Sequence, residues 1–303
     1  MTLREVLGSG RFAVTAELSP PLEPVADPVR RAARALAPLV DAANVTDNPA
    51  ATPKVSSLAA SVWLLEEGLE PVQQVTARDR NVMAIQSDLL GAWALGVRNV
   101  LALSGDPLMV GKYAEIATHV RDVDSNGLLR VIRQLNSGRL AAGETLATPP
   151  DFYVGAAMNP LVDTAERIEG KIESGARFFQ TNIVFGVPRF AEWFGALRSG
   201  GALGSGGGLD GTPVLVGVMP PRSTRALEHM HKHIPGVEVD DITFARLEGL
   251  AGEDAKAAGV AVAADVITAL RKVPGVAGVH IMAPGWETEA VTRVVAAAGL
   301  RAA

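Results

Sequence analysis

Short apolar segments recur along the chain at intervals of roughly 30–50 residues, and the stretches between them carry apolar residues at a helical period. The segments are rich in β-branched residues and continuously apolar, which is typical of strands buried on both faces. Eight strands are predicted: Val14–Leu18, Ala42–Val45, Glu70–Val75, Asn99–Leu103, Phe152–Ala157, Phe178–Val184, Val214–Val218 and Val276–Ile281. Strands that alternate with about as many helices predict an α/β fold, a (β/α)₈ TIM barrel.

Helices are predicted from the apolar period and from residues that start or stop helices, such as the Ser174-Gly175 pair. The predicted helices are Asp27–Ala37, Ser56–Glu67, Arg80–Leu95, Ser125–Asn136, Thr164–Ser174, Arg189–Leu197, Ser223–Lys232 and Gly252–Leu270. A short helix is expected at about residues 1–10, and a glycine-rich loop at about 199–212 precedes the seventh strand. Barrels of roughly 250 residues form one domain, so we expect a single domain over residues 1–303.

The composition and net charge of the chain argue against several classes of protein. Hydrophobic residues make up 48% of the chain and charged residues 20%, which argues against intrinsic disorder. The net charge of −5 offers no basic footprint for nucleic acid. The chain has no cysteine, which excludes disulfides and thiolate chemistry and favours a cytoplasmic protein. Neither a signal-peptide pattern nor an apolar run long enough to span a membrane is present.

The histidines do not predict a metal site. Only His229 and His233 share a helical face, and no glutamate stands between them as in the zinc-protease motif. A solvated helix face is the simpler interpretation, and we expect no metal.

Polar side chains mark the carboxyl ends of the predicted strands, where barrels build their active sites. Glu17 lies near the end of the first strand, and Asp106 follows the fourth within a Gly-Asp-Pro turn. The other strand exits carry mostly amides and hydroxyls: Asn44, Thr46, Asp47, Asn48, Gln73, Gln74, Thr76, Asn159, Gln180, Thr181, Asn182 and Arg222. A lining of this kind suits a flat heteroaromatic ligand with many hydrogen-bonding edges.

Each of the two carboxylates has a structural and a functional interpretation. Glu17 stands between apolar neighbours, where a charge is costly unless it is paired or protonated. It is therefore either one half of an ion pair with a neighbouring strand or a general acid, and we favour the acid. Asp106 either caps its turn or makes an electrostatic contact with a ligand.

At these residues the chain resembles the methylenetetrahydrofolate reductase family of flavin-bearing (β/α)₈ barrels. The resemblance covers nearly the whole chain, and the order and spacing of several short motifs carry it. The motifs are Thr15-Ala16-Glu17-Leu18-Ser19-Pro20-Pro21, Asn44-Val45-Thr46-Asp47-Asn48-Pro49, Gln74-Val75-Thr76-Ala77-Arg78-Asp79-Arg80-Asn81, Leu103-Ser104-Gly105-Asp106-Pro107, Lys171-Ile172-Glu173-Ser174-Gly175-Ala176, Phe179-Gln180-Thr181-Asn182 and Val279-His280-Ile281-Met282-Ala283-Pro284-Gly285-Trp286-Glu287.

The resemblance implies a reduction of 5,10-methylenetetrahydrofolate to 5-methyltetrahydrofolate with bound FAD. It implies that Glu17 is the general acid that opens the five-membered ring of the folate, and that Asp106 modulates the flavin and the pterin. Gln180 matches a pterin contact, and Thr224 stands where members of the family contact the reduced nicotinamide. The positions that match the FAD site are Thr46, Gln74, Gly105, Ala156 and Lys171.

Departures from the family pattern leave the electron donor open. Members of the enteric type carry a histidine in place of Gln74, an arginine in place of Ser104 and a phenylalanine in place of Thr224. The donor is accordingly NADH, NADPH or a partner protein. The segment His280-Ile281-Met282-Ala283 is similar to a branch of which some members work with a partner subunit. Oligomers are common in the family, so a homo-oligomer is compatible with the resemblance.

Two other functions stay open at this stage. The chain could be a folate- and flavin-binding subunit that is active only with a partner protein. Alternatively, it could be a barrel methyltransferase that moves a one-carbon unit without redox chemistry, which would need no flavin.

Overall fold

The computed structural model describes residues 1–120, 122–199, 209, 211–234 and 236–301. Eight strands form a closed barrel in which each strand pairs in parallel with the next, and the last pairs with the first. The strands are β1 (Ala13–Leu18), β2 (Ala42–Val45), β3 (Pro71–Thr76), β4 (Asn99–Leu103), β5 (Tyr153–Met158), β6 (Phe178–Ile183), β7 (Val214–Val218) and β8 (Val276–Ile281). The predicted TIM barrel is confirmed.

Eleven α-helices surround the barrel within the described ranges. They are α1 (Leu3–Gly8), α2 (Asp27–Leu36), α3 (Ser57–Glu66), α4 (Val82–Ala94), α5 (Ser125–Asn136), α6 (Ala165–Ser174), α7 (Val187–Arg198), α8 (Thr224–His233), α9 (Asp241–Leu247), α10 (Gly252–Leu270) and α11 (Glu287–Ala297). The sequence patterns did not predict α9 and α11. Most of the predicted glycine-rich loop lies outside the described residues.

The amino-terminal end of the barrel is closed. Helix α1 places Leu3, Val6 and Leu7 in one apolar cluster with inward-facing residues of the strands, such as Phe178. Thr2 and Glu5 form a reciprocal capping box that holds the first turn of this helix. Since side chains of the described residues fill this end, the barrel is open to a ligand at the carboxyl ends of the strands.

Gly155 on β5 is required by close packing inside the barrel. A Cβ atom at this position would lie 2.4 Å from Cζ of Phe178, whose ring stacks on Tyr153 at a centroid distance of 5.1 Å. The Phe178 side chain is fully buried and therefore has no room to move aside.

We expect Gly155→Ala to lower the free energy of unfolding by about 1–3 kcal/mol through overpacking. Gly170→Ala is the matched control, because Gly170 lies inside α6 with no atom within 4 Å of the added methyl group. That change is expected to stabilise the protein by about 0.5–1 kcal/mol. Urea denaturation of both variants checks the pair, and equal effects would contradict the packing argument.

Candidate functional site

A cavity of about 710 Å³ opens at the carboxyl ends of the strands. Eight of the nine predicted site residues line it: Glu17, Thr46, Gln74, Gly105, Asp106, Ala156, Lys171 and Gln180. The two carboxylates that the strand exits singled out, Glu17 and Asp106, therefore face the same cavity.

Thr224 is the predicted site residue that does not line this cavity. It begins α8 behind the capping residue Ser223, and its hydroxyl donates to the carbonyl of Leu247 at 3.2 Å. Its predicted contact with the substrate stays a prediction.

A reciprocal pair of amides crosses the barrel interior. Asn44 Nδ2 donates to Gln180 Oε1 at 2.5 Å, and Gln180 Nε2 donates to Asn44 Oδ1 at 3.0 Å. The two residues lie on opposite strands, β2 and β6, and both are buried. Each amide group keeps one N–H that this pair does not use, and Gln180 can present its own to the cavity.

Glu17 and His280 meet on the cavity wall. His280 Nε2 lies 3.9 Å from Glu17 Oε2, and His280 Nδ1 lies 3.0 Å from Thr15 Oγ1. The pairing of β1 with β8 sets this arrangement, because Thr15 and His280 are register partners. The histidine side chain is almost fully buried, whereas 23% of the Glu17 side chain is exposed. Both side chains line the cavity, and the acid is the more exposed of the two.

Asp106 fixes the loop that follows β2. Its Oδ2 accepts a hydrogen bond from the Ala50 N–H at 2.7 Å. Ala50 has a φ of 51° and Ala51 a φ of 49°, which is left-handed backbone that disfavours a side chain. Strain of this kind persists only where the surroundings hold it, and Asp106 supplies one such contact. Asp106 therefore holds a neighbouring loop and also lines the cavity, and its contact with a ligand stays a prediction.

Arg78 joins the loops after β2, β3 and β4. Its guanidinium donates to the carbonyls of Asp106 and Asn48 at 3.0 and 3.3 Å and forms an ion pair with Asp79 at 2.6 Å. Burial alone would raise the pKa of Asp79, but the contacts with Arg78 and Asn48 outweigh it and lower that pKa. Gly105 has a φ of +85°, and a Cβ there would lie 3.0 Å from the Arg78 side chain, so glycine is required beside it.

Asp47 forms a buried ion pair at the exit of β2. Its carboxylate accepts from Arg80 Nη1 at 2.7 Å and from the backbone and hydroxyl of Thr76 at 2.9 and 3.0 Å. Burial alone would lower the pKa of Arg80, but Asp47 and then Asp88 outweigh it and raise that pKa. Because these contacts occupy the carboxylate, Asp47 holds the cavity wall.

Lys171 and Arg167 form the cationic corner of the cavity. Both pair with the buried Asp163, at 3.3 and 3.6 Å, and Lys171 Nζ also donates to the carbonyl of Ala157 at 2.6 Å. An ammonium carries three donors, so Lys171 keeps one for a ligand. One carboxylate shared by two cations leaves the corner positive, which suits an anionic group.

The lining offers partners for the ring, the ribityl chain and the diphosphate of a flavin dinucleotide. Asn126 Oδ1 lies at the cavity wall as a buried acceptor that has no hydrogen-bond partner among the described residues. A hydroxylated chain such as ribityl would satisfy it. Lys171 and Arg167 would hold a diphosphate, and the amide and hydroxyl groups of Gln74 and Thr46 would face the polar edge of the ring.

Sequence reasoning missed the residues that lie well beyond the strand ends. Asp163 and Arg167 belong to the loop and helix after β5, and the segment Asp124-Ser125-Asn126 starts α5 some twenty residues after β4. The helix-start signal at Asp124, read together with the strand exits, would have identified that segment.

In the part of the chain that is described, no helix is long and apolar enough to cross a membrane, and no three His, Asp or Glu side chains cluster to hold a metal ion.

Comparison with known proteins gives consistent matches. The sequence model of a family described as methylenetetrahydrofolate reductase matches residues 2–299. Methylenetetrahydrofolate reductase 2 of Schizosaccharomyces pombe is 27% identical over 241 residues, which cover 77% of this chain and 36% of that protein. Methylenetetrahydrofolate reductase 2 of Saccharomyces cerevisiae is 26% identical over 155 residues, which cover 50% and 24%. The chain thus spans about a third or less of the length of these relatives.

A solved structure shares the fold. It is an uncharacterized protein from Clostridium thermocellum that binds two copies of 5-methyl-5,6,7,8-tetrahydrofolic acid. The TM-score is 0.66 with 14% sequence identity, and the match covers 97% of this chain and 96% of that one.

Proposed function

Because the chain belongs to the methylenetetrahydrofolate reductase family, we propose that it reduces 5,10-methylenetetrahydrofolate to 5-methyltetrahydrofolate with bound FAD as the hydride source and Glu17 as the general acid. The observation that carries the proposal is the convergence of Glu17, Asp106, Gln180 and Lys171 on one cavity at the carboxyl ends of the strands. The folate bound by the Clostridium thermocellum protein is a product of this kind of reaction, and we extend folate binding to this chain.

In this reaction the protein delivers one proton and holds the flavin ring and the pterin ring in place. Reduced FAD, when bound, supplies the hydride that the methylene carbon accepts. Glu17 delivers a proton from its carboxyl group to the bridging nitrogen of the folate, which opens the five-membered ring. Gln180, fixed from behind by Asn44, donates its remaining N–H to the pterin and orients it.

Lys171 is expected to hold the FAD diphosphate. Lys171→Gln should weaken FAD binding by about tenfold or more, because it removes a charge-assisted hydrogen bond. Quenching of flavin fluorescence on titration measures the affinity, and Lys272→Gln serves as control, since Lys272 is exposed and lies outside the cavity lining. Equal affinities for the two variants would rule out this role for Lys171.

The purified protein provides the first test of the proposal. We expect it to be yellow, or to take up added FAD, and its dithionite-reduced form to be reoxidised by methylenetetrahydrofolate under anaerobic conditions. A protein that stays colourless with FAD present would contradict the proposal, and so would a reduced protein that the folate leaves unchanged.

A subunit that depends on a partner is the second candidate. It is favoured by the departures from the family pattern at Gln74, Ser104 and Thr224, which leave the electron donor open. Anaerobic titration with NADH and then NADPH separates the two candidates. Bleaching of the flavin by either nucleotide identifies an enzyme that acts alone. Reoxidation by the folate without any bleaching by nucleotides identifies a subunit that receives its electrons from another protein.

A further inference from the structure

His280 is the titratable side chain that contacts Glu17. Its imidazole lies between Glu17 on one side and Thr15 on the other, and it is almost fully buried. We propose that His280 is a positioning residue that holds the Glu17 carboxyl group and its proton on the cavity wall. The inference rests on the proposed reduction, in which Glu17 supplies that proton.

The hydrogen bonds of Thr15 assign the tautomer of His280. The Thr15 hydroxyl donates its single hydrogen to the carbonyl of Val279 at 3.3 Å. With its hydrogen used in this way, the same oxygen accepts from His280 Nδ1, which lies 3.0 Å away. A neutral imidazole carries one N–H, so Nε2 is left with a lone pair, and the hydrogen bond on the other nitrogen fixes this choice.

The lone pair of Nε2 faces the acid. The separation of 3.9 Å from Glu17 Oε2 is somewhat longer than a hydrogen bond, and contacts of this kind commonly tighten when a ligand fills the site. A protonated Glu17 can therefore donate to Nε2 and keep its carboxyl group in one orientation.

The other side chains around the pair do not compete for this proton. The register partner of Glu17 on β2 is Asn44, and the partner of His280 on β7 is Gly217, both without charge. The charged groups elsewhere in the cavity have partners of their own. These contacts are Asp47 with Arg80, Asp106 with the Ala50 N–H, Lys171 and Arg167 with Asp163, and Asp124 with the Gly127 N–H. Among the described residues, His280 is the basic side chain that comes within 4.0 Å of the Glu17 carboxylate.

The proton balance is simple. The O–H bond of Glu17 breaks as an N–H bond forms on the bridging nitrogen of the folate, and a carboxylate remains. That carboxylate regains one proton from solvent after the product leaves, and Nε2 of His280 retains it beside Oε2 until the next folate binds. His280 takes no part in the hydride transfer.

Nitrogen NMR of the protein labelled at its histidines tests the hydrogen-bond chain without flavin or folate. The chain has five histidines, and the His280 signals are those that vanish in His280→Gln. We expect the Nδ1–H tautomer in the wild type and in Thr15→Ser, and a shift towards the Nε2–H tautomer in Thr15→Val. An Nε2–H tautomer in the wild type, or no change in Thr15→Val, would overturn the assignment.

The rates of the two half-reactions in a single turnover test the role. In His280→Gln the reduction of the folate should slow by about tenfold or more, because the Glu17 carboxyl group is no longer held in one orientation. Reduction of the flavin should keep the wild-type rate, since it needs no proton from Glu17. His229→Gln is the matched control on the exposed face of α8 and should keep both wild-type rates.

Two outcomes separate the role of His280 from the reaction itself. Equal slowing of the two half-reactions in His280→Gln would mean that His280 only supports the structure, and would overturn the proposal while the reductase stands. A wild-type protein that binds FAD but never reacts with the folate would overturn the reductase, and the role of His280 with it, whatever tautomer the NMR shows.

Discussion

Glu17→Gln is expected to slow the reduction of methylenetetrahydrofolate by about 10²–10⁴-fold, the usual contribution of a positioned general acid. Glutamine keeps the size and shape of the side chain but has no acidic proton to deliver. Reduction of the bound flavin needs no such proton from Glu17, so its rate should not change. Stopped-flow measurement of the two half-reactions separates these effects.

The control for this prediction lies in the adjoining loop. Glu23 is exposed and outside the cavity lining, so Glu23→Gln should leave both half-reactions at the wild-type rate. If Glu17→Gln slowed both half-reactions equally, Glu17 would be a structural residue or a flavin contact, and the acid role would be lost.

Asp47→Ala is expected to lower the free energy of unfolding by about 3–5 kcal/mol, because it leaves the Arg80 guanidinium without its buried partner. Only 1% of the Asp47 side chain is exposed, and two further hydrogen bonds, both from Thr76, end on the same carboxylate. Urea denaturation monitored by circular dichroism measures the loss.

Asp88, a second carboxylate that pairs with Arg80, provides the control for this prediction. Arg80 also pairs with Asp88 at 2.9 Å, but 45% of the Asp88 side chain is exposed. Exposed ion pairs contribute about 1 kcal/mol or less, so Asp88→Ala should have a small effect. If the two variants unfolded at the same urea concentration, burial would not be what distinguishes the two pairs.

The sequence was sufficient to predict the barrel because its strands are buried on both faces and are therefore continuously apolar. It was not sufficient for α11, whose Val- and Ala-rich sequence follows the last strand and lacks a capping side chain at Trp286. Helix α9 has only seven residues, Asp241–Leu247, too few for a helical period to show.

The candidate site could be predicted where side chains stand at the strand exits. Glu17, Asp106 and Gln180 were found in this way, because parallel strands end at one face of the barrel. The pairing of Asn44 with Gln180 joins residues on opposite strands, and no local pattern reports such a contact. The contact of His280 with Thr15 depends on how β8 closes against β1, which only the assembled barrel determines.

We propose that one cavity holds a flavin and a folate, with Glu17 on its wall as the proton donor. The most direct test mixes dithionite-reduced, FAD-loaded protein with methylenetetrahydrofolate in the absence of oxygen and follows flavin absorbance and the folate product together. We predict that the absorbance of oxidised flavin returns as 5-methyltetrahydrofolate forms in equal amount. A reduced flavin that stays bleached, or one that is reoxidised without formation of the methyl product, would contradict the account.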